Sequence, residues 1–168
     1  MQIHKRDFIT PSWKPQMDKI PVHELAHVLR LNNAAGRNDA RYMSMVLWII
    51  EEGLEGDSST PDLWALYHFS KELDTICDAA GVSKLTTFHD LSVMAAEFGR
   101  ELEPKLSDAS ALLASLTKVR DAVVNGGRQF ILDGADRSSD LVRDLDETIR
   151  VATECKAKSK RVRLSVIP

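Results

Sequence analysis

The pentapeptide His-Glu-Leu-Ala-His at positions 23–27 combines residue types and a spacing that could do chemistry. On a helix, the H-E-x-x-H spacing places two imidazoles one turn apart on one face, where both can reach a single zinc ion. The glutamate between them could then act as a general base toward a zinc-bound water. Under this hypothesis His23 and His27 are metal ligands and Glu24 is the catalytic residue.

A catalytic zinc site needs a third protein ligand, and Glu51 or Glu52 follows His27 by about 24 residues. This spacing resembles that of the gluzincins, and the resemblance covers these few residues. It implies a zinc-dependent hydrolase with Glu51 or Glu52 completing the site. Gluzincins, however, place a sheet before this helix, and its edge strand holds the peptide substrate. Only 22 residues precede His23 and prolines interrupt them, so a solvated helix face is the competing interpretation.

Composition narrows the class of protein. A chain of 168 residues can form one domain with a sizeable core. The net charge of -3 gives no basic footprint for nucleic acid. Two cysteines do not make a disulfide framework, which favours a reducing compartment. The start of the chain lacks the apolar core of a signal peptide, and the run at 45–50 is too short for a bilayer. We therefore expect a soluble, cytoplasmic protein with no membrane segment.

The apolar periodicity predicts an all-α fold, a single-domain bundle of five to six helices. Residues 1–19 are interpreted as an irregular N-terminal arm, 20–156 as the helical domain and 157–168 as a basic C-terminal tail. Caps and apolar stripes predict helices near 20–35, 38–54, 61–80, 107–125 and 138–155, with a further helical pattern around 89–99.

Two short segments have strand character. The run 129–132 fits a strand or a further helical turn, and Arg163–Ile167 allows a short C-terminal strand beside the bundle. The side chains expected to be buried lie on the apolar stripes: Leu47, Ile50, Trp64, Leu73, Leu112, Leu116 and Leu145.

A second resemblance covers residues 63–123. A helix with the pair Leu73-Asp74 runs into Gly81-Val82, a turn with Leu85 and Phe88 follows, and a helix with spaced leucines comes later. This order resembles a segment of small uncharacterised bacterial helical proteins. Such proteins are often accessory or immunity-like, so the resemblance implies binding to a partner without catalysis.

Two functional hypotheses follow. The first is a non-catalytic, helical, cytoplasmic protein without a cofactor that binds another protein, as an immunity or accessory factor. The alternative is a zinc-dependent hydrolase of the H-E-x-x-H type. Metal content separates the two hypotheses, and the face around His23, His27 and Arg30 is the first surface to test for a partner.

Overall fold

A computed structural model describes residues 45–57 and 59–168, and every structural statement below concerns that part of the chain. The pentapeptide at 23–27, the predicted arm and the predicted helix at 20–35 lie outside it. The elements, in chain order, are β1 Val46–Glu51, α1 Trp64–Ala80, a 3₁₀ helix Leu85–Phe88, β2 His89–Asp90, α2 Ser92–Glu97, α3 Ala109–Asn125, β3 Ile131–Leu132, β4 Ala135–Asp136, α4 Ser138–Ala157 and β5 Val162–Ile167.

The predicted all-α class is wrong, because the described residues contain a three-stranded sheet in the order β1-β5-β2. Strand β5 pairs antiparallel with β1, from Val46 opposite Ile167 to Glu51 opposite Val162, and parallel with β2. The predicted helix at 38–54 is therefore wrong in its described part. Its apolar run fits a helix and a buried strand equally well by periodicity, and pairing with the distant C-terminal segment decides between them.

Three long helices form where the sequence predicts them, with ends that differ by at most three residues. Gly81 ends α1 at φ 67° in the left-handed region that glycine tolerates. The Asp108 side chain begins α3 by accepting a hydrogen bond of 2.8 Å from the Ala111 N–H. The predicted helical pattern at 89–99 contains the shorter α2. Local caps thus mark the end of α1 and the start of α3.

Helices α1, α3 and α4 pack on one another, and α1 and α4 also pack against β1. Six of the residues predicted to be buried are in the core: Leu47, Ile50, Leu73, Leu112, Leu116 and Leu145. The prediction for Trp64 is wrong, because this side chain is half-buried. Trp64 is the first residue of α1, and the guanidinium of Arg137 lies over its ring at 5.5 Å from the ring centre.

Of the two alternatives predicted for 129–132, the structure has a strand, but only at Ile131–Leu132, where β3 pairs with β4 in a two-stranded hairpin. Its turn residues, Asp133 and Gly134, both have positive φ, 50° and 76°. Positive φ at both central residues is what the two-residue hairpin turn requires, and Asp-Gly is a preferred sequence for it. The hairpin leads directly into α4.

Candidate functional site

Of the predicted zinc ligands, only Glu51 and Glu52 lie in the described part of the chain. Both carboxylates form ion pairs with basic side chains of the C-terminal segment. Glu51 accepts a hydrogen bond of 2.7 Å from the Lys158 ammonium. Glu52 accepts hydrogen bonds of 3.1 Å from both the Arg161 backbone N–H and Arg161 Nε. These bonds to Arg161 lower the pKa of Glu52 to about 2. His23, Glu24 and His27 are outside the described residues.

A third pair continues this arrangement, which we call the charge seam. Arg163 of β5 donates a hydrogen bond of 3.1 Å to Glu55. The seam is formed by Glu51, Glu52, Glu55, Lys158, Arg161 and Arg163. Exposed pairs of this kind each contribute little stability. As a result, Lys158, Arg161 and Arg163 each face a carboxylate of this same chain.

Asp90 is a buried carboxylate with a full set of partners. Its side chain is 1% exposed. Oδ1 accepts from the backbone N–H groups of Ser92 at 3.0 Å and Lys105 at 3.2 Å, and Oδ2 accepts from the hydroxyls of Ser92 at 2.9 Å and Ser165 at 3.0 Å. Four donors fill the acceptor positions of a carboxylate. Asp90 therefore joins β2 and β5 and has no lone pair left for a substrate proton.

Asp144 of α4 caps a helix that lies far from it in the sequence. Its Oδ2 accepts hydrogen bonds from the Ala65 and Leu66 N–H groups at 2.8 and 3.2 Å, in the first turn of α1. Oδ1 accepts from Arg143 at 3.1 Å. Burial raises the pKa of Asp144 against the effect of these donors. This carboxylate fastens α1 to α4, which is a structural role.

A serine and a histidine approach each other in the manner of a nucleophile and its base. Ser70 Oγ lies 3.4 Å from His89 Nε2. The Ser70 side chain, however, is 2% exposed, and its hydroxyl donates to the Leu66 carbonyl at 2.5 Å. The nearby Asp74 accepts from Thr86. A hydroxyl that a substrate cannot reach, with its proton directed away from the imidazole, cannot act as a nucleophile.

Four rings form a continuous row, which we call the aromatic stripe: Trp64, Tyr67, His68 and His89. The ring centres of Trp64 and His68 are 4.7 Å apart, those of Tyr67 and His68 5.5 Å, and those of Tyr67 and His89 6.3 Å. Tyr67 and His68 lie three and four residues after Trp64 and so share its face of α1, and β2 supplies the fourth ring. All four side chains are half-buried. The stripe is thus an ordered surface of rings.

Cations lie near both ends of the aromatic stripe. Arg137 lies over the Trp64 ring and forms an ion pair of 3.6 Å with Asp140. At the other end, burial lowers the pKa of His89 to about 4; the charge of Asp74 opposes this shift, and the charge of Lys105 adds to it. The imidazole of His89 is therefore neutral at pH 7. The stripe thus offers an aromatic surface, with a neutral imidazole at His89, between two basic side chains.

Part of this stripe has a signal in the sequence. Trp64, Tyr67 and His68 have the i, i+3, i+4 spacing of one helix face. Placing Trp64 in the core separated it from its two neighbours. The contribution of His89 could not be read locally, because β2 reaches α1 only through the tertiary fold.

Metal-binding and thiol chemistry find little support in the described ranges. Between residues 45–57 and 59–168, no three His, Cys, Asp or Glu side chains are grouped as a metal site would require. Cys77 and Cys155 are buried, and burial raises the pKa of both thiols, which disfavours the reactive thiolate. Over the same residues, no helix combines the length and apolar character of a membrane span.

Comparison of the chain with models of known protein families, with curated proteins and with solved structures gave no match. The proposals that follow therefore depend on the residues and their geometry.

Proposed function

We propose that the protein binds another protein through the aromatic stripe and is not itself an enzyme. The observation that carries this proposal is the half-buried ring of Trp64, held under Arg137 at 5.5 Å. Tryptophan, tyrosine and arginine are the residue types that supply most binding energy at protein interfaces. The stripe and its flanking cation bring these three types together on one surface.

The order of the stripe also favours binding. Ring-to-ring contacts and the cation over Trp64 hold these side chains in place before a partner arrives. A surface that is already ordered loses less side-chain entropy on association. Because Trp64 is only half-buried, a partner can still gain by covering it.

The flanking charges indicate the chemistry of the partner. Arg137 lies at one end of the stripe and Lys105 near the other. A matching surface would carry apolar or aromatic side chains in its middle and carboxylates toward its ends. We therefore propose an acidic segment of another protein as the partner. The basic residues of the charge seam are less suited to this role, since they already face Glu51, Glu52 and Glu55.

The immunity or accessory role and the cytoplasmic location belong to the same proposal. The segment resembling accessory and immunity-like bacterial proteins, residues 63–123, includes α1 and therefore most of the stripe. The zinc-hydrolase alternative requires Glu51 or Glu52 to exchange Lys158 or Arg161 for a metal ion. That requirement is a reason to prefer the binding role.

Photo-crosslinking in the cells that make the protein tests the proposal. A benzophenone amino acid replaces Ser139, an exposed residue close to Arg137, or Lys118, an exposed residue of α3, as the control. We expect one defined protein adduct from position 139 and none from position 118. Identical adducts from both positions, or none from position 139, would contradict the proposal.

Reversing the charge of Arg137 then tests whether the crosslink from position 139 depends on the aromatic stripe. Arg137→Glu should reduce the yield from position 139 at least tenfold, as expected for an interface hot spot. Arg120→Glu is the matched control, because Arg120 also pairs with an aspartate and its side chain is 37% exposed against 40% for Arg137. An equal loss with both variants would show that general charge, and not the stripe, governs the contact.

A further inference from the structure

His89 joins three parts of the fold. Its backbone begins β2 and pairs with Leu164 of β5. Its ring stacks on Tyr67 of α1 at an interplanar angle of 25°, and Nε2 lies 3.4 Å from Ser70 Oγ. Strand β2 has two residues, so few backbone hydrogen bonds hold it in the sheet. Asp90 fastens β2 to β5 through its hydrogen bond to Ser165, and the His89 ring is the contact through which β2 packs on Tyr67 and Ser70 of α1.

The surroundings of this ring suit a neutral imidazole. Two charged groups of the described residues act on it: Asp74 of α1, which favours protonation, and Lys105 of the loop before α3, which opposes it. The carboxylate of Asp74 already accepts hydrogen bonds from the Thr86 N–H and hydroxyl. An imidazolium at this position would be partly desolvated beside a lysine, with the nearest carboxylate occupied elsewhere.

We propose that His89 is an acid-operated release point, whose protonation detaches β2 from α1 and dismantles one end of the aromatic stripe. The consequence for a partner rests on the proposed function, namely that acid weakens binding. The opening itself is a property of the isolated protein. Two rings of the stripe, Tyr67 and His89, would separate in the open form.

The direction of the pH effect follows from the pKa of His89 in two forms: a closed form, in which its ring packs on α1, and an open form, in which β2 has detached from α1. Burial lowers the pKa of His89 to about 4 in the closed form, while an exposed histidine has its ordinary pKa of 6.5. The open form therefore binds the proton more tightly, and acid favours it. Linkage gives a rise in the opening equilibrium of about tenfold between pH 7.5 and 5.5, and about seventy-fold between pH 7.5 and 4.5.

Hydrogen exchange of the full chain, read by mass spectrometry and corrected for the intrinsic pH dependence, measures this opening. Amides in the peptide 86–92 should lose protection by these factors between pH 7.5 and 4.5. Amides of α3 should keep theirs over the same range. Uniform loss across both segments, or constant protection of 86–92, would overturn the proposal.

Two variants separate the titration of His89 from other acid effects. His89→Phe keeps an aromatic ring and cannot be protonated, so its 86–92 protection should not depend on pH. If His89→Phe does not fold, His89→Gln serves the same comparison. Loss of protection at low pH in the variant equal to that of the wild type would refute the role of His89.

A nuclear magnetic resonance titration of the His89 ring gives an independent value. A midpoint below pH 5 supports the release point, and a midpoint above pH 6 contradicts it. Neither measurement uses a partner protein, so their failure is distinguishable from a failure of the proposed function. Crosslinking from position 139, compared at pH 7.5 and 5.5, then tests whether opening weakens binding.

Discussion

Replacing Asp144 tests how α1 is fastened to α4. Asp144→Ala removes the acceptor for the Ala65 and Leu66 N–H groups, which belong to residues 0% and 1% exposed. Each buried donor left without an acceptor costs about 1–3 kcal/mol. Burial of the Asp144 carboxylate disfavours its charged form and so raises its pKa. Removing this buried charge offsets part of the cost. We expect a net loss of about 3 kcal/mol in the free energy of unfolding.

Asp144→Asn separates the acceptor from the charge. The amide oxygen can take the place of Oδ2 and accept from both N–H groups, so the loss should stay within about 1 kcal/mol. Asp146→Ala is the control on the same helix, because Asp146 is 50% exposed and pairs with Arg120 at 2.6 Å. Its effect should also stay within about 1 kcal/mol.

Urea denaturation measures these differences in the free energy of unfolding, provided that its slope against urea concentration is the same for the wild type and the variants. If Asp144→Asn destabilises as much as Asp144→Ala, the charge and not the acceptor holds α1, and the reasoning is wrong. A pH series adds a check. Because the pKa of Asp144 is raised in the fold, the folded state takes up its proton first as the pH falls. The wild type should therefore gain stability relative to Asp144→Asn as the pH approaches the ordinary pKa of 3.8.

Two further predictions concern the core and the histidine pair. Leu73→Ala and Leu116→Ala should each cost about 2–5 kcal/mol, since both side chains are 0% exposed; unchanged denaturation midpoints for both would contradict the assigned core. The purified full chain should hold no stoichiometric zinc, and replacing His23 and His27 with alanine should change stability by roughly 0.5 kcal/mol or less. Elemental analysis that finds one zinc per chain, lost with His23→Ala, would favour the hydrolase.

The success of the helix predictions has a local physical cause. Helices α1, α3 and α4 have apolar residues at helical spacing, and residues such as Gly81 and Asp108 mark their ends. These signals lie within one turn or one stripe, so the sequence is enough to read them. The hairpin signal at Asp133-Gly134 is equally local, whereas the apolar pattern of the adjoining segment 129–132 fits a strand and a helical turn alike.

The sheet could not be predicted in the same way. The run from Val46 to Ile50 is apolar on both faces, because helices pack on one side of β1 and a loop near Gly56 approaches Trp48 and Ile50 on the other. A segment buried on both faces has no alternation, and its spacing can fit a helix. Its partner strand lies more than a hundred residues away at Val162–Ile167. Pairing at that separation leaves no local mark.

The aromatic stripe depends both on a local sequence pattern and on tertiary packing. Trp64, Tyr67 and His68 share a helix face that the sequence alone could have identified. His89 and Arg137 reach that face only because β2 pairs with β5 and because α4 packs beside α1. Asp90 and Asp144 hold these two contacts in place through hydrogen bonds to Ser165 and to the start of α1. The buried carboxylates therefore act on the surface indirectly: they fix the elements that bring His89 and Arg137 to the aromatic stripe.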